Sequence, residues 1–196
     1  MYSLDEIKEN YRGFSDSKVE NIAKNESKGL RKEVLSILKD EIKRRNLNIS
    51  LISWVDTETK SFDGDERRVL LKKIQEQHCP KCSGKNILYG FETNTVKSFL
   101  IGTSFIKDEV ILCRSCGKQA KLNAILITFF AGWWSGKGFL STPFIILKDT
   151  VNFLFINKIS HRILNSSVDR TTGSFRRYGT TDSVIIRLIN WKNNSV

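Results

Sequence analysis

Two cysteine pairs constrain this chain more than any other feature. "CPKC" (Cys79, Cys82) and "CRSC" (Cys113, Cys116) stand well apart in the middle of the chain. A CxxC turn sets two thiolates on one side of a tight loop, and two such turns supply the four sulfurs that tetrahedral Zn²⁺ takes. Small residues follow each pair, Ser83 and Gly84 after the first and Gly117 after the second. That suits a knuckle whose backbone N–H groups turn toward sulfur. The spacing reads as a structural zinc site. Four thiolates close the coordination sphere and leave no position for water or substrate. Residues 79–123 are then a small β-rich, four-cysteine zinc ribbon, in which the metal holds strands that have too little apolar surface for a core of their own.

Other cysteine chemistries fit less well. A thioredoxin-type redox pair needs one reactive CxxC in a βαβ pattern. Four cysteines also suit an iron–sulfur centre, but nothing nearby suggests electron transfer. Disulfides belong to oxidising compartments. The opening "MYSLDEIKEN" has acids where a secretory signal needs a basic region and an apolar run, so no signal peptide is expected and the thiols are expected to stay reduced. His78 directly precedes Cys79. Both a ligand-swap role and a plain helix-end imidazole beside the metal are open to it. His161 lies among Lys158 and Arg162, where a solvated helix face is the default. With no Ser/His/Asp arrangement and no P-loop, the chain reads as non-enzymatic.

A chain of 196 residues holds one ordinary domain or two small ones. The expected class is α+β. Residues 1–78 read as a helical interaction module. "SLDE" (Ser3, Glu6) and "SKVE" (Ser17, Glu20) have capping-box spacing. Between Lys28 and Asn46, Leu30, Val34, Ile37, Leu38 and Ile42 form one helical stripe. Residues 49–55, "ISLISWV", suit a short strand or a docking segment, and "DGDE" opens a helix over about 64–77. Residues 86–112 alternate short apolar runs with polar breaks, the pattern of strands and turns.

The segment 124–164 opens with the apolar stretch 124–156, whose middle is "FFAGWWSGKGFLSTPF". Three readings compete: one transmembrane helix, buried helices of a soluble domain, or an apolar helical hairpin. The window 124–147 is acid-free and long enough for the ~20 residues a bilayer needs. Gly132, Gly136, Lys137, Gly138 and Pro143 interrupt its centre, where lysine is costly. In the hairpin reading, 124–134 and 139–147 are limbs and "SGKG" the tip. Lys118 and Lys121 precede the stretch, and Lys158, Arg162, Arg170, Arg176 and Arg177 follow it. The positive-inside rule puts both flanks on the cytoplasmic side, which a hairpin satisfies and a single span does not. Trp133 and Trp134 suit the membrane interface, and Lys137 can snorkel or cap carbonyls there. An amphipathic helix is expected over 148–164, a polar and mobile stretch over 165–182, and a last short helix over about 183–191. Together 165–196 form a basic, partly flexible tail.

The order "CPKC…CRSC-G", then "GWWSGKGFLSTPF" and "ILKD", resembles an uncharacterised group of small bacterial zinc-ribbon proteins. Cys79, Cys82, Cys113 and Cys116 match its ribbon, and Gly132, Trp133, Trp134, Thr142 and Pro143 match its Gly-Trp-Trp hydrophobic segment, over about 79–155. Lys137 departs from that pattern. The resemblance implies membrane association and no defined activity.

The net charge of +11 is concentrated in the second half, since residues 1–78 are nearly neutral. Such a surface attracts phosphates of lipid or nucleic acid alike. The leading expectation is a non-enzymatic, membrane-associated zinc-ribbon protein. It would act as an adaptor, with a bilayer surface and an unidentified protein as partners. The alternative is a soluble nucleic-acid binder. It would use Lys81, Lys85, Lys97, Arg114, Lys118 and Lys121, with Tyr89, Phe91, Phe99 and Phe105 between them as stacking groups.

Overall fold

A computed structural model describes residues 3–99 and 102–194. It is mixed α and β, as an α+β chain should be: helices throughout and one two-stranded antiparallel sheet. Contacts divide it into two compact units. The first comprises Met1–Phe62 with Thr171–Gly179, and the second Asp63–Arg170 with Thr180–Val196.

The first unit is helical. Helix α1 (Leu4–Gly13) begins with the expected capping box, Glu6 N–H on Ser3 Oγ at 3.2 Å and Ser3 N–H on Glu6 Oε2 at 2.7 Å. Helix α2 (Asp16–Asn21) is capped by Ser15 and not by Ser17, through Lys18 N–H at 3.3 Å. The chain continues as a π-helical turn (Ile22–Glu26), then α3 (Lys32–Arg44) and α4 (Ser50–Thr59). Residues 50–55, read as a strand or docking segment, are therefore helical. Leu51 and Val55, four apart, pack on Val34, Leu38 and Ile42 of the α3 stripe, with Val19 and Ile22 beneath. The stretch expected to be mobile instead carries α9 (Thr172–Tyr178), which packs on α4. Arg176 lies 3.8 Å over the Phe62 ring, and Arg177 lies 4.5 Å over Trp54 and pairs with Glu58.

The second unit is built on a hairpin. Helix α5 (Gly64–Gln75) leads to the first cysteine pair. Strand β1 (Leu88–Phe99) pairs antiparallel with β2 (Gly102–Cys113), in register from Leu88 opposite Cys113 to Phe99 opposite Gly102. The alternating runs over 86–112 are thus one long hairpin rather than several short strands. The middle of "KSFLIGTSF", residues 100 and 101, lies outside the described residues. Helix α6 (Arg114–Ala131) follows β2 without a loop, and α7 (Gly136–Leu154) follows the turn at 132–135. The turn precedes the expected "SGKG" tip, because Ser135 is the N-cap of α7 and bonds Gly138 N–H at 3.0 Å. The expected helix over 148–164 is divided. Its first residues end α7, and α8 (Ile156–Arg170) starts after a bend of 93°. Helix α10 (Asp182–Asn194) closes the unit.

Strand β1 is buried along most of its length, and its edge away from β2 needs partners for its backbone groups. Side chains supply them. Gly90 N–H donates to Ser160 Oγ (3.0 Å), Asn94 N–H to Asp149 Oδ2 (3.1 Å) and Val96 N–H to Thr128 Oγ1 (3.0 Å). Lys121 Nζ donates to the Glu92 carbonyl at 3.0 Å. On the other edge Asn193 exchanges two bonds with Ile111, at 2.8 and 3.0 Å.

Candidate metal centre and the apolar surface

The four cysteines come together. Their sulfurs all lie within 4.8 Å of one another, and none is in a disulfide. Cys79 and Cys82 belong to a knuckle closed by Ser83 N–H on the Cys79 carbonyl (2.7 Å) and Cys79 N–H on the Gly84 carbonyl (3.0 Å). Ser83 takes φ +55°, the left-handed turn such a knuckle requires. The second pair is not a matching knuckle between strands. Cys113 ends β2 and is the N-cap residue of α6, and Cys116 lies in the first turn of that helix. The site is therefore a knuckle, a hairpin and a helix start, in place of a ribbon with strands around both pairs.

Four sulfurs at this spacing fit a tetrahedral ion. A metal–sulfur bond of about 2.3 Å gives a tetrahedron edge of about 3.8 Å, and Cys82 Sγ lies 3.8 Å from Cys113 Sγ. Burial pushes the Cys116 thiol up to about 12, and the neighbouring sulfurs push the same way. Cys113 is raised first by burial as well. Burial also opposes ionisation of Cys79, but the N–H groups of Cys113, Cys82 and Lys81 outweigh it and hold that thiol down at about 6. Burial thus opposes ionisation of Cys113 and Cys116 where no cation is near, and these residues could hold a metal ion that supplies the missing charge. Cys79, Cys113 and Cys116 are buried and Cys82 is exposed, which gives an ion a route in.

Gly117 is small for a different reason from the one its position suggests. A Cβ there would overlap the Phe91 ring, so the glycine lets α6 lie against β1. Phe91 is buried in that contact. The register pairs Phe105 with Val96, so Phe105 lies on the opposite face of the hairpin from Phe91 and Phe99. Of the aromatics expected to stack, Tyr89 and Phe99 share the face of Phe91, which is buried, and Phe105 lies apart from them; Lys121 is buried on Asp149 at 3.1 Å.

Trp133, Trp134 and Lys137 are exposed, at and just after the α6–α7 turn. They belong to a larger pattern. The buried positions of α6 include Gly117, Lys121, Ala124 and Thr128, and those of α7 are Gly138, Thr142 and Asp149. The exposed positions include Leu126, Phe130, Trp134, Phe139, Leu140, Phe144, Leu147 and Leu154, the last 82% exposed. Both helices are inside out, with small and polar residues inward and large apolar ones outward. Lys121 meets Asp149 near one end, and at the other a Cβ on Gly132 would touch Thr142 and one on Gly138 would touch the Gly132 carbonyl. The two helices therefore run antiparallel and close together. Ser98, near the end of β1, joins them by accepting Trp134 N–H at 3.1 Å and donating to the Ala131 carbonyl at 3.2 Å. Among the described residues no single helix is long and apolar enough to cross a membrane, and only α7 and α8 together pass on length and composition.

Sequence reading missed the charges behind this surface. Glu92 is buried and gathers Lys107 (3.3 Å), Lys148 (3.1 Å) and Arg162. Burial pushes its carboxyl up, and the hydrogen bonds from Lys148, Arg162 and Lys107 outweigh that and set it at about 2. The one available signal was an acid in the middle of an apolar-rich strand. No family model matches the chain, and no curated protein or solved structure matches it either.

Proposed function

We propose that this is a non-enzymatic, membrane-associated metal protein whose second unit docks on a bilayer through α6, α7 and the Phe99 end of the hairpin. The reading rests on the inverted polarity of α6 and α7. A helix pair in water buries its apolar stripe and solvates its polar one. Here Thr128, Thr142 and Asp149 are fully buried while Phe130, Trp134, Phe144 and Leu147 are exposed. Contiguous apolar surface of this kind marks an interaction site, and small inward residues are the usual contact of helices packed in lipid. Trp133 and Trp134 suit the interface.

The metal is zinc with a structural role in this reading, held by Cys79, Cys82, Cys113 and Cys116. It ties the knuckle to the junction of β2 and α6, at the opposite end of the hairpin from Phe99. The first unit is the adaptor's protein-binding part, and the metal end faces the cytoplasm. Flotation of the purified protein with phospholipid vesicles tests the docking. Wild type is expected in the floating lipid fraction, and Phe130→Ser with Phe144→Ser in the bottom fraction with metal retained. Wild type that stays with the soluble fraction at every lipid composition refutes the proposal.

A further inference from the structure

Resting on that membrane reading, we propose that Lys107, Lys148 and Arg162 form a phosphate-binding site that takes the headgroups of anionic lipids at the waterline of the docked unit. The three cations come from three elements, β2, α7 and α8, and converge on one carboxylate. Glu92 is only 3% exposed, whereas the three side chains are 54%, 53% and 57% exposed. One buried negative charge thus fixes three half-exposed positive ones, with two charges in excess. An ammonium has three donors and a guanidinium five. The bonds to Glu92 use only some of them, so the remainder face outward from a fixed base. Other acids are engaged elsewhere. Asp149 is held by Lys121, and Glu109 by Arg170 and Lys192, with Lys107 at 4.0 Å.

The height of the cluster in the unit matches a headgroup layer. Lys107 stands opposite Asn94 in the hairpin, and Lys148 donates to Asn94 Oδ1 at 3.3 Å, so both lie at one level. From that level toward the Phe99 end, α7 runs uncharged from Gly138 to Leu147 and β2 from Gly102 to Ile106. Such a helical run rises about 15 Å, which is about half of a hydrocarbon core of about 30 Å. With this end buried in one leaflet, the cluster meets the phosphates of that leaflet. Lys97 and Lys137 are the charges beyond the level, and both are exposed with long stems that can snorkel.

The test is flotation of the full chain on vesicles of phosphatidylcholine alone and of phosphatidylcholine containing phosphatidylglycerol. Wild type is expected to bind the anionic vesicles about 25-fold more tightly, given about a fivefold gain for each of the two excess charges at such a surface. Lys107→Gln with Lys148→Gln should reduce the preference to near unity while leaving binding to neutral vesicles. Lys107→Arg with Lys148→Arg should keep it. If the glutamine variant fails to fold, wild type at rising salt decides, because the preference must collapse by screening. Equal binding of wild type to both vesicles, a salt-insensitive preference, or an unchanged preference in the folded glutamine variant overturns the headgroup site alone. Tighter binding of inorganic phosphate or single-stranded RNA than of anionic vesicles also overturns it. Failure to float on either vesicle overturns the docking reading itself.

Discussion

At the residue scale, two threonines on facing helices separate satisfied burial from unsatisfied burial. Thr128 Oγ1 accepts Val96 N–H at 3.0 Å and donates to the Asn94 carbonyl at 3.4 Å. Thr142 Oγ1 is buried with no hydrogen-bond partner. Exchange for valine keeps shape and removes the hydroxyl. Thr128→Val strands a buried backbone N–H and should cost about 1–3 kcal/mol, whereas Thr142→Val removes an orphan and should be neutral or stabilising. Urea denaturation of both variants checks the contrast, and equal losses would refute it. Gly117 is the other sharp case. Its missing Cβ is the space the Phe91 ring occupies, so Gly117→Ala must move either the ring or α6. A loss of about 1–3 kcal/mol is expected from overpacking, with Phe91→Leu in the same background recovering part of it.

At the element scale, the β1 edge explains why so many polar residues are buried in an apolar-looking segment. Glu92 sits near its middle, and its carboxyl is held near 2 against an ordinary 4.5. A carboxylate with a lowered folded-state pKa stabilises the fold above its unfolded value, and that contribution fades as pH falls from about 4.5 to about 2. Urea midpoints of wild type should therefore drop across that window, and Glu92→Gln should be weaker at neutral pH with a flatter profile below 4.5. A profile of the same slope in both proteins would refute the role. This arrangement also marks where the sequence stops being legible. The α1 capping box, the α3 stripe and the two CxxC pairs can be read locally, because each depends on residues a few positions apart. Residues 50–55 carry β-branched and aromatic side chains, yet their spacing of Leu51 and Val55 fits the α3 stripe and packing decides for a helix. Lys121, Asp149 and Glu92 look like surface charge until α6, α7 and β1, distant in sequence, are brought together. Nor does anything local show that Gly117 on α6 faces the ring of Phe91 on β1.

At the scale of the whole molecule, the two units are built on different interiors, and metal removal should separate their stabilities. The first unit has a continuous apolar cluster running from Tyr11 through Leu38 to Val55, formed without the cysteines. The second exposes much of its large apolar surface and fills its interior partly with polar side chains. In water its stability should therefore lean on hydrogen bonds and, under the proposed metal role, on the cysteine site. That site joins residues 79–84 to the start of α6, two chain segments separated by the whole hairpin. Burial and the neighbouring sulfurs oppose ionisation of Cys113 and Cys116, so an ion held there would supply bonds that the bare site lacks. A strong chelator should reach an ion held there through exposed Cys82. Hydrogen exchange after chelation should accelerate in Leu88–Ala131 by a factor of about 100 or more, since losing a structural metal removes several kcal/mol, while α3 and α4 keep their protection. Restoring Zn²⁺ should restore the slow exchange, and Cys113→Ser should match the chelated protein with or without zinc. Uniform acceleration across both units would mean that they unfold as one, and unchanged exchange in Leu88–Ala131 would mean that the four sulfurs carry no load in this fold.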